Sequence, residues 1–433
     1  MKLLGIDIGT SSICGVLYDT ETKETKSLNK ANDTWIESRE AWERAQDADL
    51  IVDIVWQLIG ELSLTAKDVA GIGFTGQMHG IVYLDCNGHA VSPLYTWQDG
   101  RAGLEYKDGK SYATWMSEAT GMDISAGYGL ATHFYNLQNG LIPATAVKLC
   151  TIMDYAAMCV SGATSPLIDP SNAASLGLFD KQRLQFDELA LEHLGIGSGW
   201  LPAVACHVTE VGRMSGIPVY TAIGDNQAAF IGAMKGCRDA VFVTVGTSAQ
   251  MSVWSEEYVE VPSLETRPLP GGGYILVGAA LCGGSVLATM KDFLVGIVKG
   301  LTSLQLDSAT VYAFMAKAAE QADDSPLQVD TRFSGSREEP WRKGAISGIT
   351  PRNFKIENIV NGFYRGIAQE MLDFYEKVPA RLRADTSRIV GTGNALKRNP
   401  PLQQSLQQLF GYPLSLSDCD EDAALGAALS ICL

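Results

Sequence analysis

Basic charge is what this chain is short of: 33 Lys and Arg stand against 49 Asp and Glu, a formal net charge of −16. Nucleic acid and anionic membrane are poor partners for such a surface, because both are held through Lys and Arg. The same deficit means that a phosphate must be held locally, by backbone dipoles, a metal ion and a few cations. No C-x-x-C pair and no metal-ligand spacing occurs among the nine cysteines, at 14, 86, 150, 159, 206, 237, 282, 419 and 432. Odd in number and set mostly in apolar runs, they are expected to be buried free thiols of a reducing cytoplasm. The one uncharged stretch of membrane length, Pro268–Met290, holds six glycines and two prolines in 23 residues. Strand, turn and buried helix suit it better than a membrane span. Only Lys2 precedes the first short strand, which is unlike a secretion signal. H-E-x-x-H and G-x-S-x-G are both missing, so zinc-peptidase and serine-hydrolase chemistry have no support.

What is present is enough apolar material for large cores, 46% hydrophobic against 19% charged. A chain of 433 residues is expected to divide into two domains of about 200 residues each. One signal occurs twice. Ile6-Asp7-Ile8-Gly9-Thr10-Ser11-Ser12 opens the protein, and Val243-Thr244-Val245-Gly246-Thr247-Ser248-Ala249 follows 237 residues later. Each copy lies between two apolar runs, the pattern of a β-hairpin with a tight turn. Such a turn can point successive N–H groups into a concavity suited to phosphate. The copies differ where Asp7 is replaced by Thr244, and a carboxylate beside a phosphate cradle is a place to hold Mg²⁺. Two unrelated turns sharing Gly-Thr-Ser is the plainer alternative.

The rest alternates α and β. Strands are expected at Leu3–Gly9, Ile13–Tyr18 and Thr25–Asn29, a helix at Ala48–Leu62, and strands at Val69–Thr75 and Ile81–Leu84. A helix near Thr132–Asn139, a strand at Leu149–Met153, a helix at Gln182–His193 and a strand at Val219–Ile223 lead into helix Gln227–Met234. The pattern then restarts with hairpin Val241–Trp254, strand Tyr274–Ala280 and helices Val286–Val298 and Ala309–Gln321. A Ser/Arg/Glu/Pro-rich loop, Ser334–Lys343, interrupts it before helix Ile356–Tyr375, strand Arg388–Val390 and helices Pro401–Phe410 and Asp422–Leu433. Two related α/β domains, 1–228 and 229–433, are expected, with Gly224–Met234 at the joint.

Three patterns mislead. Gly71-x-Gly73-x-x-Gly76 matches a dinucleotide fingerprint, but strand rather than helix follows it. Gly109-Lys110-Ser111 has Leu at position 104, where a P-loop needs its first Gly. Asp418, Asp420 and Asp422 imitate a calcium loop, yet Ala423 and Leu429 occupy ligand-critical places. They are expected to cap the last helix.

Asp225, in Gly224-Asp225-Asn226-Gln227 at a strand's C-terminal end, is where α/β proteins place ligands. It is a candidate general base, with a simple N-cap as the alternative. Gln77-Met78-His79, framed by Gly76 and Gly80, offers donors, acceptors and an apolar wall to a polyol. Trp97-Gln98-Asp99-Gly100-Arg101 adds an aromatic plate and hydroxyl-binding charges, unless it is a buried Trp beside a structural Asp–Arg pair. Gly391-Thr392-Gly393-Asn394-Ala395 would let an adenine lie against backbone, with Asn394 or Asn399 for ribose or base. Gly283-Gly284 would complete that floor.

These residues, in this order, resemble the FGGY carbohydrate kinases across essentially the whole chain. The resemblance implies two actin-like, ribonuclease-H-like ATPase domains around a central cleft, with sugar deep inside and ATP mostly on the second domain. It implies Asp225 as base, Asp7 and Asp225 near Mg²⁺, and Met78, His79, Asp225 and Asn226 as sugar contacts, joined by Gln77, Trp97, Asp99, Arg101 and Asn172. For ATP it implies Gly9, Thr10, Ser11, Ser12, Gly246, Thr247, Ser248, Gly283, Gly284, Gly393, Asn394 and Asn399. Trp97–Arg101, Asn172-Ala173-Ala174-Ser175 and Leu130-Ala131-Thr132-x-Phe134 are most similar to the sedoheptulokinase branch, with xylulokinases next. Thr132 and Tyr135 replace a common Lys and Trp, and Thr392 a second Gly. The expected partners are a ketose and ATP, not nucleic acid or membrane, with a homodimer left open.

Overall fold

A computed structural model describes residues 1–63, 68–302, 304–325 and 327–433. The chain forms two compact units. Unit 1 comprises Met1–Lys235, Arg267–Tyr274 and Glu421–Leu433; unit 2 comprises Gly236–Thr266 and Ile275–Asp420. Among the described residues no helix is long and apolar enough to cross a membrane.

Unit 1 is built on a seven-stranded sheet. Strand Lys2–Ile8 runs antiparallel to Ser12–Asp19 and parallel to Val69–Gly76, with Asp7 opposite Cys14 on one side and Thr75 on the other. Its side chains are almost continuously buried, as expected of a strand covered on both faces. Leu4, Ile6 and Ile8 pack with Ile51, Val55 and Leu58 of helix Ala48–Ser63. The opposite face meets the closing helix Asp422–Ser430 at backbone distance: a Cβ at Gly5 would lie 1.8 Å from the Ala424 carbonyl oxygen, and one at Gly73 would lie 2.0 Å from that of Ala427. Within the misleading glycine pattern at 71–76, Gly73 thus serves close packing of a helix on a sheet.

Unit 2 repeats the arrangement. Strand Ala240–Val245 pairs antiparallel with Ala249–Ser255 and parallel with Arg388–Thr392 in a six-stranded sheet. Its core joins Val241, Val243 and Val245 to Val360, Tyr364, Ile367 and Met371 of helix Ile356–Lys377.

Several expectations need correction. The apolar run at Leu149–Met153 is a strand only over Lys148–Cys150; Thr151 then caps helix Ile152–Ser161, accepting a hydrogen bond from the Asp154 N–H. Helix Gln182–His193 shrinks to Glu188–His193, because Gln185–Phe186 pairs with Phe179–Asp180. Helix Tyr112–Thr120 was not anticipated. The last helix takes Glu421 as N-cap with no side-chain cap bond, and Asp420 pairs with Lys397 instead. All nine cysteines are free thiols, but Cys86, Cys206 and Cys432 are exposed and Cys159 and Cys237 half-buried.

Candidate active site

In unit 1 the expected residues gather at the C-terminal ends of parallel strands. Ile223–Gly224 pairs parallel with Thr75–Gly76, and Thr75 is in turn opposite Asp7. The Thr75 hydroxyl donates to the Ile223 carbonyl at 2.8 Å. Asp225 comes next and opens helix Asp225–Met234, whose N-cap is Gly224. Burial raises the Asp225 pKa, opposed by Arg267 and by the Asn226 N–H. Asp7 lies on the strand face that meets the closing helix, and its pKa is pushed up to about 7 by burial, then by Asp225 and Glu421. The groups that shift Asp7 besides burial are both carboxylates, an arrangement that favours a proton or a cation.

Met78 is buried beside Gly224, where an added Cβ would lie 2.8 Å from its methyl carbon. His79 sits at φ 75°, in the left-handed region. Its Nδ1 lies 2.7 Å from the Ser175 carbonyl, its N–H donates to Ser175 Oγ, and its ring stacks on Tyr128 at 4.8 Å. A carbonyl only accepts, so this pairing puts a proton on Nδ1; when the ring is neutral, Nε2 is then the acceptor. The Asn172–Ser175 motif thus reaches the site through Ser175.

Gln77 turns toward the first hairpin. Its Oε1 accepts from the Thr10 hydroxyl at 3.3 Å, and its Nε2 donates to Gln46 Oε1 at 2.8 Å. Gln46 Nε2 donates to the Thr10 carbonyl, and Trp97 Nε1 to the Thr10 hydroxyl, both at 3.0 Å. Gln46, which sequence reasoning missed, ties the phosphate-type turn to the polyol-type loop.

Three expected sugar contacts are occupied elsewhere. Asp99 and Arg101 are buried against each other, with Nε–Oδ1 at 2.7 Å and Nη2–Oδ2 at 3.0 Å; Arg101 also donates to Asn136 and lies over the Tyr95 ring. Trp97, by contrast, is 45% exposed. Asn172 is wholly buried and donates to Thr151 Oγ1 and Asp154 Oδ2, both at 2.9 Å.

In unit 2 the three glycine-bearing segments converge. The Gly284 N–H donates to the Gly246 carbonyl and the Ser285 N–H to that of Thr247. A Cβ at Gly283 would lie 2.4 Å from the Ser248 carbonyl oxygen, and one at Gly284 would lie 2.7 Å from the Ala395 Cβ. Gly393, at φ 92°, backs onto Val245. Asn394 is exposed at the start of helix Asn394–Lys397. Asn399 is buried: its Nδ2 donates to the Ala395 carbonyl and its Oδ1 accepts from Tyr364, so it braces the loop from within. The Gly246 N–H is likewise turned onto the Ser248 carbonyl.

The model of the FGGY family of carbohydrate kinases matches residues 2–232 with its N-terminal domain and 241–432 with its C-terminal domain. Sedoheptulokinase of Mus musculus is 30% identical over 98% of this chain and 96% of its own length. Glycerol kinase of Alteromonas mediterranea is 24% identical, covering 98% and 89%. Among solved structures, xylulose kinase of Rhodospirillum rubrum superposes with a TM-score of 0.83 at 18% identity, covering 100% of this chain and 89% of that one. That likeness concerns the fold, with its two actin-like, ribonuclease-H-like domains. With both family domains matched over nearly the whole sequence, this chain belongs to the FGGY family of carbohydrate kinases.

Proposed function

We propose that this carbohydrate kinase transfers the terminal phosphoryl group of ATP to a primary hydroxyl of a ketose, forming sedoheptulose 7-phosphate from sedoheptulose. The observation that carries the reading is the environment of Asp225. It is a carboxylate at a strand end with its pKa raised by burial, following Gly224, against which Met78 packs. A raised pKa makes a carboxylate a better base near neutral pH. In this reading Asp225 accepts the proton of the attacking hydroxyl, and chiefly orients it, since the transition state is loose. His79 Nε2 accepts from a second hydroxyl, Asn226 adds a polar contact, Met78 supplies an apolar wall, and the exposed Trp97 ring covers a C–H face. Each unit offers a glycine-bearing turn for phosphate, Gly9–Ser12 in unit 1 and Gly246–Ser248 in unit 2, and within unit 2 Gly283, Gly284, Gly393 and Asn394 would bound the adenosine.

The donor set also suits Mg²⁺. Asp7 is raised first by burial and then by the charges of Asp225 and Glu421, which a divalent cation would offset, and among the described residues no cluster of three or more His, Cys, Asp or Glu forms an all-protein cage. Mg²⁺ typically uses one or two carboxylates with water and substrate phosphates, here Asp7 and Asp225. When bound it would neutralise charge on the transferring phosphoryl group.

The choice of sedoheptulose is supported by the 30% and 29% identical sedoheptulokinases of mouse and human, with xylulose as the competing substrate. The test is coupled ADP release with five-, six- and seven-carbon ketoses. kcat/KM for sedoheptulose should exceed that for xylulose by about tenfold or more, as expected of a site built to pair the extra hydroxyls. Faster turnover of xylulose would replace the substrate; ATP turnover indifferent to any polyol would replace the function.

A further inference from the structure

Helix Asp225–Met234 has no side-chain cap of its own: its N-cap is a glycine, Gly224. An uncapped N-terminus leaves backbone donors to be satisfied from elsewhere. The Gly224 N–H donates to the Ser171 hydroxyl oxygen at 3.0 Å, across 53 residues of sequence. The Ser171 hydroxyl in turn donates to Asp169 Oδ1 at 2.5 Å, and the Ser171 N–H donates to the same oxygen at 2.8 Å. On the far side of Asp225, the Gln227 side-chain amide donates to the Ser171 carbonyl at 3.4 Å and to the Pro268 carbonyl at 3.1 Å. Ser171 therefore holds the residue before Asp225 and the residue two after it.

All three supports are out of water: Asp169 is 2%, Ser171 1% and Gln227 0% exposed. Asp169 caps the short helix Pro170–Ala173, whose Pro170 stands at its first position. That fixes the backbone bearing Ser171. A buried serine whose proton is taken by a carboxylate has its oxygen lone pairs turned to the one remaining donor, the Gly224 N–H.

We propose that Ser171, oriented by Asp169, is a positioning residue for Asp225: it sets the direction of the Gly224–Asp225 peptide and so of the carboxylate. The proposal rests on Asp225 being the general base. Small displacements of a base are costly because proton transfer needs hydrogen-bond geometry to the attacking hydroxyl.

A double-mutant cycle with the full-length protein tests it. Ser171→Ala should lower kcat by about tenfold or more while leaving KM for ATP within about twofold, and Ser171→Thr, which keeps the hydroxyl, should restore most of the loss. In an Asp225→Asn background the same Ser171→Ala change should alter the residual kcat by less than about twofold, because a residue acting through Asp225 has nothing left to position. A merely structural role would lower Tm equally in both backgrounds and leave kcat per folded molecule unmoved. Full, additive losses in the cycle, or a normal kcat for Ser171→Ala beside an inactive Asp225→Asn, would overturn the positioning role alone. A near-normal kcat for Asp225→Asn would remove the base and this proposal with it. If Ser171→Ala does not fold, Ser171→Cys takes its place in the cycle with the same expected outcomes.

Discussion

Strands Lys2–Ile8 and Ala240–Val245 each stand between an antiparallel hairpin partner and a parallel neighbour, Val69–Gly76 and Arg388–Thr392 respectively. At matching places, two residues before the turn glycine, Asp7 faces Cys14 and Thr75, whereas Thr244 faces Gln250 and Thr392. The surroundings differ in kind. In the first copy Asp7 is lifted by burial and then by the charges of Asp225 and Glu421. The second has its turn carbonyls taken by the amides of Gly284 and Ser285, a setting of backbone rather than charge. One scaffold thus carries two different settings: a buried carboxylate beside the first turn, and a second turn whose carbonyls are held by neighbouring backbone amides.

The largest effect should come from Asp225, whose charge acts on Asp7 of the first copy. Asp225→Asn should lower kcat by about 10²-fold or more with ATP binding preserved, measured by steady-state kinetics and nucleotide titration. Next, the two matching positions should respond unequally. Asp7→Asn should cut kcat by about tenfold or more and raise the Mg²⁺ requirement, whereas Thr244→Val should leave the Mg²⁺ titration in place. Equal shifts in the two titrations would erase the asymmetry. Making the copies alike is a sharper trial: Thr244→Asp sets a carboxylate beside the second turn and should raise KM for ATP by about tenfold, less at high salt. An unchanged KM would show that this turn does not meet phosphate.

The pH dependence has a definite sign. Because Asp7 is lifted to about 7, its protonated form predominates below that value and cannot ligate. Apparent Mg²⁺ affinity should therefore weaken as pH falls through 7, by up to about tenfold per unit. Asp7→Asn should flatten the profile, and a wild-type profile already flat would refute the assignment. The smallest effect concerns Asp154, whose buried carboxyl is raised to about 8. A folded-state value above the ordinary one means stability fully present below the ordinary carboxylate range and lost as pH rises to about 8. Its Oδ1 and the Asn172 Oδ1 are both buried without partners, so a proton on Asp154 would fill a gap. Asp154→Asn should reduce the fall in Tm between about pH 6 and 9, and an equally steep fall in the variant would exclude Asp154 as its source.

Both hairpins were legible because β-branched runs flank a Gly-Thr-Ser turn, a purely local signal. The strand Leu149–Met153 was misjudged because an apolar run crosses a strand–helix junction without a change in hydropathy; the Thr151 cap, three residues before Asp154, was the available clue. Site geometry was harder. Asp99 and Arg101 look like sugar-binding charges when taken singly, and only tertiary packing reveals that they bind each other and that Arg101 also donates to Asn136. Gln46 and Ser171 carried no signal, since their partners lie 31 and 53 residues away at Gln77 and Gly224. Glu421, which shifts Asp7, is separated from it by the whole of unit 2.

That last separation bears on how the chain is made. The sheet of unit 1 is covered on one face by Asp422–Ser430, and glycines at 5, 73, 232 and 426 admit backbone so close that their partners must be present for the surface to be dry. During synthesis the strands of unit 1 therefore wait for helix Asp422–Ser430, while unit 2, made of Gly236–Thr266 and Ile275–Asp420, can assemble first. Sequence-distant closure of this sort is slow and leaves apolar surface open in the interval. Unit 1 is therefore expected to mature after unit 2, and pulse proteolysis of ribosome-bound chains should find it cleavable until residues 421–433 have emerged.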